Sequence, residues 1–529
     1  MAGRAGAGGG SGGAAGASST GGTGGHAGIG GASSTGGAGG HAGAAGMSGA
    51  GGHAGAAGFS GAGGGGGAPT TCSASHCCSD GDCPAALTGQ PGACDAGTHS
   101  CHYTCPTSTQ LCVLNGGASC IASTLCCGCS GTCQTDADCL SGHFCSGQSC
   151  RVAAVALASG LDSSCALLAD ATVDCWGGNS YGDLGQGPSA ALQGSTTPLP
   201  VTLPKPATEI AVGGYSAFVL LNDGTVWSWG YNVYGELGQG TASGSVNDLV
   251  GVPTPGQITG LPGPASAIAA GTHHACALVA GNAWCWGEDG EGEVGDGIFR
   301  TSPPWDVDAP VKVGGLGKVT ALAAGSEHTC AISDGALVCW GLNGTGQLGS
   351  SFGVGAVTTP EPVSLPAGTQ ITSLALGGNQ SCAILAGGTC ECWGENNYVQ
   401  LGQGTFSATM TAFPEDGIVT PAPIAAAADG PITATAVTMG EIEGCAVAAS
   451  EALYCWGFND YGAVGTGSNT TTAPLGIATP TRVTTLPYAT IAVAAGGWHV
   501  CAVLQNGSVW CWGDDPGGAV GVPPAPIGW

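Results

Sequence analysis

The chain has 529 residues, a net charge of −27 from only 7 Lys+Arg against 34 Asp+Glu, and 104 Gly, 30 Pro and 29 Cys. So few basic side chains cannot neutralise phosphate, which argues against nucleic acid and anionic lipid as partners. No run of about 18 apolar residues exists, so no transmembrane helix is expected, and the cysteine count points to an oxidising compartment.

The chain opens Met1-Ala2-Gly3-Arg4 and runs straight into Gly/Ala repeats, with no apolar export segment. That conflicts with the cysteine count. An upstream start is therefore expected, with an export signal of the lipoprotein kind that would leave a lipid anchor. Of the first 67 residues, 32 are Gly, and most others are Ala, Ser or Thr. With almost no side chain to bury, residues 1–71 are expected to be a disordered tether. Gly-Gly-His-Ala-Gly recurs around His26, His41 and His53. Nothing holds these histidines in a coordination geometry, so they read as drift in a low-complexity repeat rather than as metal ligands.

Residues 72–150 carry 16 cysteines, from Cys72 to Cys150, and few large apolar side chains. Crosslinks must replace a core here, in a connectivity that spacing does not reveal. The end of the segment, through Cys133, Cys139, Cys145 and Cys150, resembles small extracellular cysteine-rich modules with a C-x5-C-x5-C-x4-C pattern. A zinc site through Cys126, Cys127, Cys129 and Cys133 is the competing reading. The cysteines are too crowded and too many for two separated zinc-type pairs.

Residues 151–529 carry −23 of the net charge and repeat seven times on Trp-Gly. The tryptophans are Trp176, Trp229, Trp286, Trp340, Trp393, Trp456 and Trp512. Each is preceded by a small apolar run ending in Gly, such as Ala269-Ala270-Gly271, then by two short strands. The turns between those strands, Asn222-Asp223-Gly224, Asp334-Gly335 and Gln505-Asn506-Gly507, are hairpin signals, because tight turns need positive φ. After each Trp the frame is strict. Asn or Asp stands third (Asn179, Asn232, Asp289, Asn343, Asn396, Asn459, Asp515). Gly stands sixth except at Val399, Leu or Val eighth, and Gly ninth in every repeat, from Gly185 to Gly521. Pro-flanked apolar stretches such as Pro198–Val201 and Pro360–Val363 read as a fourth, edge strand. Four short strands in each of seven units predict an all-β, seven-bladed propeller, with Trp in the blade core.

The repeat Cys-Trp-Gly-Leu-Asn343-Gly-Thr-Gly346-Gln347-Leu348-Gly349, preceded by Ala-Ala-Gly-Ser-Glu-His328-Thr-Cys330, resembles the regulator of chromosome condensation repeat. Its superfamily includes the secreted type II β-lactamase inhibitor protein. The resemblance covers residues 152–529 and implies a seven-bladed propeller. From the best-known members it also implies guanine-nucleotide exchange on a small GTPase, which serves here as the alternative function in a cytoplasmic setting.

Cysteines also pair within the repeats: Cys165/Cys175, Cys276/Cys285, Cys330/Cys339, Cys382/Cys392, Cys445/Cys455 and Cys501/Cys511 bracket the predicted hairpin turns. The second repeat has Phe218 and Ser228 at the two positions, so both cysteines are missing together, which favours a bond over two buried thiols. Cys390 is left over, as a free thiol or an intermolecular bridge. His274, His328 and His499, with Ser163, Ser216, Gln380 and Glu443 in the other repeats, form a ring of positions two residues before the first cysteine. A metal or catalytic ring is the sharper reading. A polar layer bonding backbone near the channel is the plainer and preferred one.

No G-x-S-x-G, H-E-x-x-H, Walker or Rossmann pattern occurs, so no enzyme, cofactor or catalytic residue is expected. Asp306/Asp308 and Glu415/Asp416, in the long connections 298–318 and 405–432, are weak calcium candidates. Those connections are the expected surface for an unknown protein partner. The combined expectation is an exported or surface-tethered, non-catalytic scaffold: a tether over 1–71, a disulfide module over 72–150 and a propeller over 151–529.

Overall fold

The computed structural model describes backbone strands within 93–122, and then residues 133–139, 141–188, 193–242, 251–300, 306–350, 355–405, 417–470, 476–514 and 524–527. His26, His41, His53, the zinc candidates Cys126, Cys127 and Cys129, and also Glu415, Asp416, Asp515 and Gly521 lie outside the described residues. Seven four-stranded antiparallel sheets follow one another along the chain. They cover 154–200, 207–257, 265–312, 319–362, 371–423, 434–482 and 490–526, here blades 1 to 7. Each blade consists of four consecutive strands. In blade 1 these are Ala154–Ser159, Ser163–Leu168, Val173–Gly177 and Ser195–Pro200. Ahead of blade 1, strands His143–Ser146 and Ser149–Val152 form a hairpin. The disulfides Cys133–Cys145 and Cys139–Cys150 close it, which takes Cys133 out of any zinc set. Asp136 Oδ2 accepts from Asn506 Nδ2 at 2.9 Å, seating this segment on the second hairpin turn of blade 7.

The hairpin signals fall between the second and third strands. In blades 3 and 4 the turn is two residues long with both at positive φ, Ala280 and Gly281 at 49° and 76°, and Asp334 and Gly335 at 49° and 82°. That is the turn whose twist matches paired strands. Elsewhere the loop is one residue longer. The bracketing cysteines are therefore 9 apart in Cys276–Cys285 and Cys330–Cys339. They are 10 apart in Cys165–Cys175, Cys382–Cys392, Cys445–Cys455 and Cys501–Cys511. In all six blades the two cysteines are direct cross-strand partners and are bonded, with Cα atoms 4.1 Å apart. Phe218 and Ser228 hold the same register in blade 2, where Phe218 packs 6.3 Å from the Trp286 ring. The fourth strands start earlier than the Pro-flanked stretches suggested: Ser195–Pro200 and Ala356–Pro362 end where Val201 and Val363 turn inward as buried plugs. Each fourth strand pairs only with the third, so its prolines sit on an open edge.

The first strand of each blade packs on the first strands of both neighbours, and this ring closes from blade 7 to blade 1. Seven glycines set how close the blades come: Gly160, Gly213, Gly271, Gly325, Gly377, Gly440 and Gly496. A Cβ on any of them would stand 2.1–2.6 Å from the carbonyl oxygen of the corresponding glycine in the next blade, with Gly496 meeting Gly160. Backbone bonds stitch the same belt, among them Leu161 N to Gly214 O at 3.0 Å and Gly497 N to Gly160 O at 3.0 Å. Among the described residues no strand is exchanged between the chain ends; contacts along this belt and between the blade cores close the ring.

The tryptophans correct one expectation. They are 0–1% exposed, but they lie between blades rather than inside one. Trp229 of blade 2 joins Cys165, Cys175, Leu184 and Val201 of blade 1 in one core cluster, and Trp176 of blade 1 joins Cys501, Cys511 and Val503 of blade 7. Trp229 Nε1 donates to Asp183 O at 2.8 Å, and Trp286, Trp340, Trp393, Trp456 and Trp512 each bond the preceding blade in the same way at 2.8–2.9 Å. The ninth-position glycine explains itself here. At φ 65° to 74°, Gly185, Gly238, Gly295, Gly349, Gly402 and Gly465 lie against the next blade's indole, where a Cβ would come within 2.6–2.9 Å of a ring atom. The third-position Asn or Asp accepts from the eighth-position amide at 3.0–3.2 Å, shaping the loop that delivers both plug and glycine.

The belt yields a test. In Gly325→Ala the new methyl would stand 2.4 Å from His328 Cε1 and 2.6 Å from Gly377 O. Overpacking against backbone predicts a loss of about 3 kcal/mol in denaturant unfolding. Gly290→Ala, with nothing within 4 Å, should stay within about 0.5 kcal/mol of the parent.

Candidate functional site

Strand direction puts two kinds of segment on one face. The turns between first and second strands emerge there, and so do the loops that follow Trp-Gly. They are tied together: Tyr231 N bonds Tyr215 O at 2.9 Å, Glu288 N bonds His273 O at 2.8 Å, and Asp514 N bonds Trp498 O at 2.9 Å. This upper face shows the residues that vary inside a constant frame. The last turn residue is Asp162, Tyr215, His273, Glu327, Asn379, Ile442 or Trp498 in blades 1 to 7. The second and fifth residues after Trp add Tyr181, Tyr231, Tyr234, Glu288, Glu291, Tyr398, Phe458 and Tyr461.

Two aromatic groups result. In blades 1 to 3, Tyr181, Tyr215 and Tyr231 meet edge to face with centroids 4.7–6.2 Å apart, and Tyr234 and His273 extend the group at 5.2–6.4 Å. In blades 5 to 7, Tyr398, Phe458, Tyr461 and Trp498 form a chain at 5.3–6.1 Å, and Tyr398, Tyr461 and Trp498 are 36–43% exposed. Rings this exposed and this contiguous are typical of interfaces rather than of a core.

Carboxylates crowd the first group. Burial raises the pKa of Glu288 and Glu291, and it pushes Glu327 to about 7, helped by repulsion from Glu288 and Glu291. Glu293 lies well above the ordinary carboxylate range for the same reason. Burial opposes protonation of His273, but Glu236 at 3.5 Å, with Glu288 and Glu327, outweighs it and leaves the imidazole above its usual value. Asp183 is pushed up to about 7 by burial. Burial also raises Tyr215, to about 12, with Asp162, Tyr181, Asp183 and Glu441 adding to it. Nearby Asp289 stands where five of the other six blades have Asn. Asn232 and Asn459 use Nδ2 on a loop carbonyl at 2.7 and 3.0 Å, and at Asp289 the second oxygen is met instead by Arg300, which also holds Asp296 at 2.8 Å.

The histidine ring resolves differently from either sequence reading. His274, His328 and His499 bond hydroxyls of the next blade, Thr329, Ser381 and Ser164, each at 2.8 Å. They do not form a metal or catalytic ring, and their partners are side chains, not backbone. The four blades without histidine here are followed by Ala217, Ala275, Gly444 and Val500 at the hydroxyl position, so the pairing was present in the sequence as a covariation between neighbouring repeats. Gln380 instead bonds the carbonyls of Gly440 and Glu441 at 2.9 Å, and Glu443 is a buried carboxyl with its pKa held well above normal by burial. His328 and Ser381 are fully buried and His499 and Ser164 are 1–2% exposed, so no substrate reaches these pairs. Burial drives His274 and His328 down to about 3, which leaves them neutral.

The paired cysteines take no part in the upper face. Cys165–Cys175, Cys276–Cys285, Cys330–Cys339, Cys382–Cys392, Cys445–Cys455 and Cys501–Cys511 are all 0–1% exposed, so they act as sealed crosslinks and not as a binding or redox site. The seven blade tryptophans are equally sealed. Cys390 is 1% exposed and 4.0 Å from Cys392 Sγ, which rules out the intermolecular bridge. Burial pushes its thiol up to about 12, far from reactive thiolate. Asp306 lies in the edge strand Asp306–Lys312 with Asp308, and no carboxylate triad within metal-binding distance occurs among the described residues. The upper-face aromatics escape a sequence reading centred on the long connections. The signal that would have found them is variation at fixed offsets within an otherwise constant repeat.

A family model described as the RCC1-like domain matches residues 175–525, and one for the regulator of chromosome condensation repeat matches 154–183. The chain is 28% identical over 372 residues to the Ultraviolet-B receptor UVR8 of Arabidopsis thaliana, covering 69% of this chain and 78% of that protein. It is 27% identical over 397 residues to the guanine nucleotide exchange factor SRM1 of Saccharomyces cerevisiae, covering 66% and 79%. The solved structure of yeast RCC1 (Prp20) bound to Kap60 superposes with a TM-score of 0.58 at 24% identity, covering 71% of this chain and 85% of that one, and shares the fold.

The raised carboxyls set a pH dependence. Glu327 and Asp183 bind a proton more tightly folded (about 7) than unfolded (near 4.5 and 3.8). Their contribution is fully present below the unfolded values and is lost as pH rises through 7. Glu209, raised to about 8 by burial, extends the window upward. His274 and His328, lowered to about 3, oppose this as pH falls through 6.5, but the three carboxyls outweigh the two imidazoles. The melting temperature of the oxidised protein should therefore be higher at pH 5.5 than at pH 8.5, and calorimetry across that range checks it.

Proposed function

The chain belongs to the RCC1-like domain family, and from that premise we propose that it is a non-catalytic, exported protein-binding propeller whose partner sits on the upper face. The exposed chain of Tyr398, Phe458, Tyr461 and Trp498 carries this reading. It spans blades 5 to 7, comes from loops fixed by the repeat frame, and keeps three of its rings more than a third exposed. A rigid platform with variable aromatic tips is built to present a surface, and hot spots at protein interfaces favour Tyr and Trp. Export is supported by eight disulfides among the described residues, six of them buried between strands. Yeast RCC1 (Prp20), of the same fold, is seen bound to a protein, Kap60.

Exchange-factor activity is the second reading, favoured by the similarity to SRM1. A disulfide-bonded, exported propeller would not meet a cytosolic GTPase, and the reading predicts faster release of a fluorescent GDP from a small GTPase on adding the propeller. No acceleration is expected.

The scaffold reading is tested by immobilising the oxidised, full-length protein and a Tyr398→Ala/Tyr461→Ala/Trp498→Ala variant and exposing both to proteins from the producing cells' surface. Those three positions are exposed, so the variant should melt within a few degrees of the parent. Specific retention by the parent and its loss in the variant is the expected result. Identical retention by both proteins would overturn the assignment of the face.

A further inference from the structure

The aromatic group of blades 1 to 3 is chemically different from that of blades 5 to 7, and the difference names a ligand class. Tyr181, Tyr215, Tyr231 and Tyr234 form a continuous, partly buried ring surface, bordered by the partly exposed Glu288, Glu291 and Glu327 and backed by the buried Glu236 and Glu293. Among the described residues, no ion pair brings Lys or Arg to these carboxylates. Arg300 is held by Asp289 and Asp296, Lys205 by Asp223, and Arg482 lies 3.8 Å from Asp429. Within the patch the group that can take a positive charge is His273, 3.5 Å from Glu236 and in ring contact with Tyr231 and Tyr234. Asp183 adds a second sign of an absent partner. It is 3% exposed and accepts from Tyr181 N through Oδ2 at 3.1 Å, while its Oδ1 has no hydrogen-bond donor.

Resting on the protein-binding reading above, we propose that the upper face of blades 1 to 4 docks a cationic, Arg/Lys-rich segment of a partner protein. Tyrosine faces attract guanidinium and ammonium groups and cover their aliphatic stems, and Glu288, Glu291 and Glu327, the partly exposed carboxylates, supply acceptors for guanidinium. The patch spans four blades, so it offers several separated cation positions rather than one pocket. That suits an extended chain carrying successive cations. A phosphate-bearing or acidic ligand would meet net repulsion, since His273 faces Glu236, Glu288 and Glu327. Charge steering should make the encounter fast and strongly dependent on salt.

The test uses the oxidised, full-length protein at pH 8, where Glu327 is mostly ionised. The probes are a ten-residue peptide of alternating Arg and Gly, its Glu-Gly counterpart, and spermine, each followed by calorimetry. Binding of the Arg peptide and none of the Glu peptide is expected, with spermine at least tenfold weaker than the Arg peptide because it lacks guanidinium planes. Tyr231→Ala/Tyr234→Ala and, separately, Glu288→Gln/Glu327→Gln should each weaken the Arg peptide tenfold or more. Asp170→Asn/Glu361→Gln, two exposed carboxylates away from the face, removes the same charge and should change it less than twofold. The glutamine pair is isosteric, which guards against reading misfolding as lost binding. Equal losses in both charge-removal variants, spermine binding as tightly as the peptide, or no Arg-peptide binding by the parent would each overturn the proposal. If the Arg peptide fails while the Tyr398/Tyr461/Trp498 variant still loses its retained protein, the cationic ligand is wrong and the scaffold reading stands. If both fail, the scaffold reading goes too.

Discussion

Everything in this propeller depends on how closely seven strands can approach one axis. Glycine at Gly160, Gly213, Gly271, Gly325, Gly377, Gly440 and Gly496 lets each blade's backbone lean on the next blade's carbonyl, and no other residue fits there. The side chain three residues on occupies the remaining room: the rings of His274, His328 and His499 lie 2.4–2.5 Å from the Cβ those glycines lack. The belt therefore fixes blade spacing, and blade spacing decides whether Trp229 can reach Asp183 O, Trp286 can reach Glu236 O, and so on around the ring. A repeat protein of this kind has no single core. It has a series of inter-blade cores, each made of one blade's plug and the next blade's indole.

That division of labour frees the upper face. The third, eighth and ninth positions after Trp are committed to shaping the loop, so the second and fifth can change without cost to the fold. In blades 1 to 4 these and the turn positions include Tyr181, Tyr215, Tyr231, Tyr234, Glu288, Glu291 and Glu327; in blades 5 to 7 they include the exposed rings of Tyr398, Tyr461 and Trp498. Where a committed position does change, a partner changes with it. Asp289 comes with Arg300, and each buried histidine comes with a hydroxyl in the following blade. Val399 is the instructive exception. It takes the sixth position at φ 60°, a conformation costly for a β-branched residue, and it is 1% exposed, so its burial offsets the strain.

The acidity of the chain has a physical cost at this face. Burial and mutual repulsion raise the pKa of several carboxyls there, Glu327 to about 7, and among the described residues His273 is the basic group that opposes this, with no Lys or Arg paired to them. A folded protein that keeps such a cluster is carrying electrostatic free energy that a cationic ligand would release.

The sequence by itself determined the fold: seven frames on Trp-Gly, turn residues at fixed offsets, and cysteines flanking six of the seven turns specify a seven-bladed propeller, because in a repeat structure each local signal is echoed from unit to unit. It also marked Phe218/Ser228 as the odd pair and His274, His328 and His499 as a set. What it left open were relations between repeats. That Trp belongs to the interface, that histidine answers a hydroxyl one blade on, that Cys390 is sealed against Cys392, and that tyrosines fifty residues apart share one surface were decided only by the tertiary structure. The reason is geometric: contacts within a repeat are local in sequence and leave periodic traces, whereas contacts between blades join positions that differ from repeat to repeat and come together only when the ring closes.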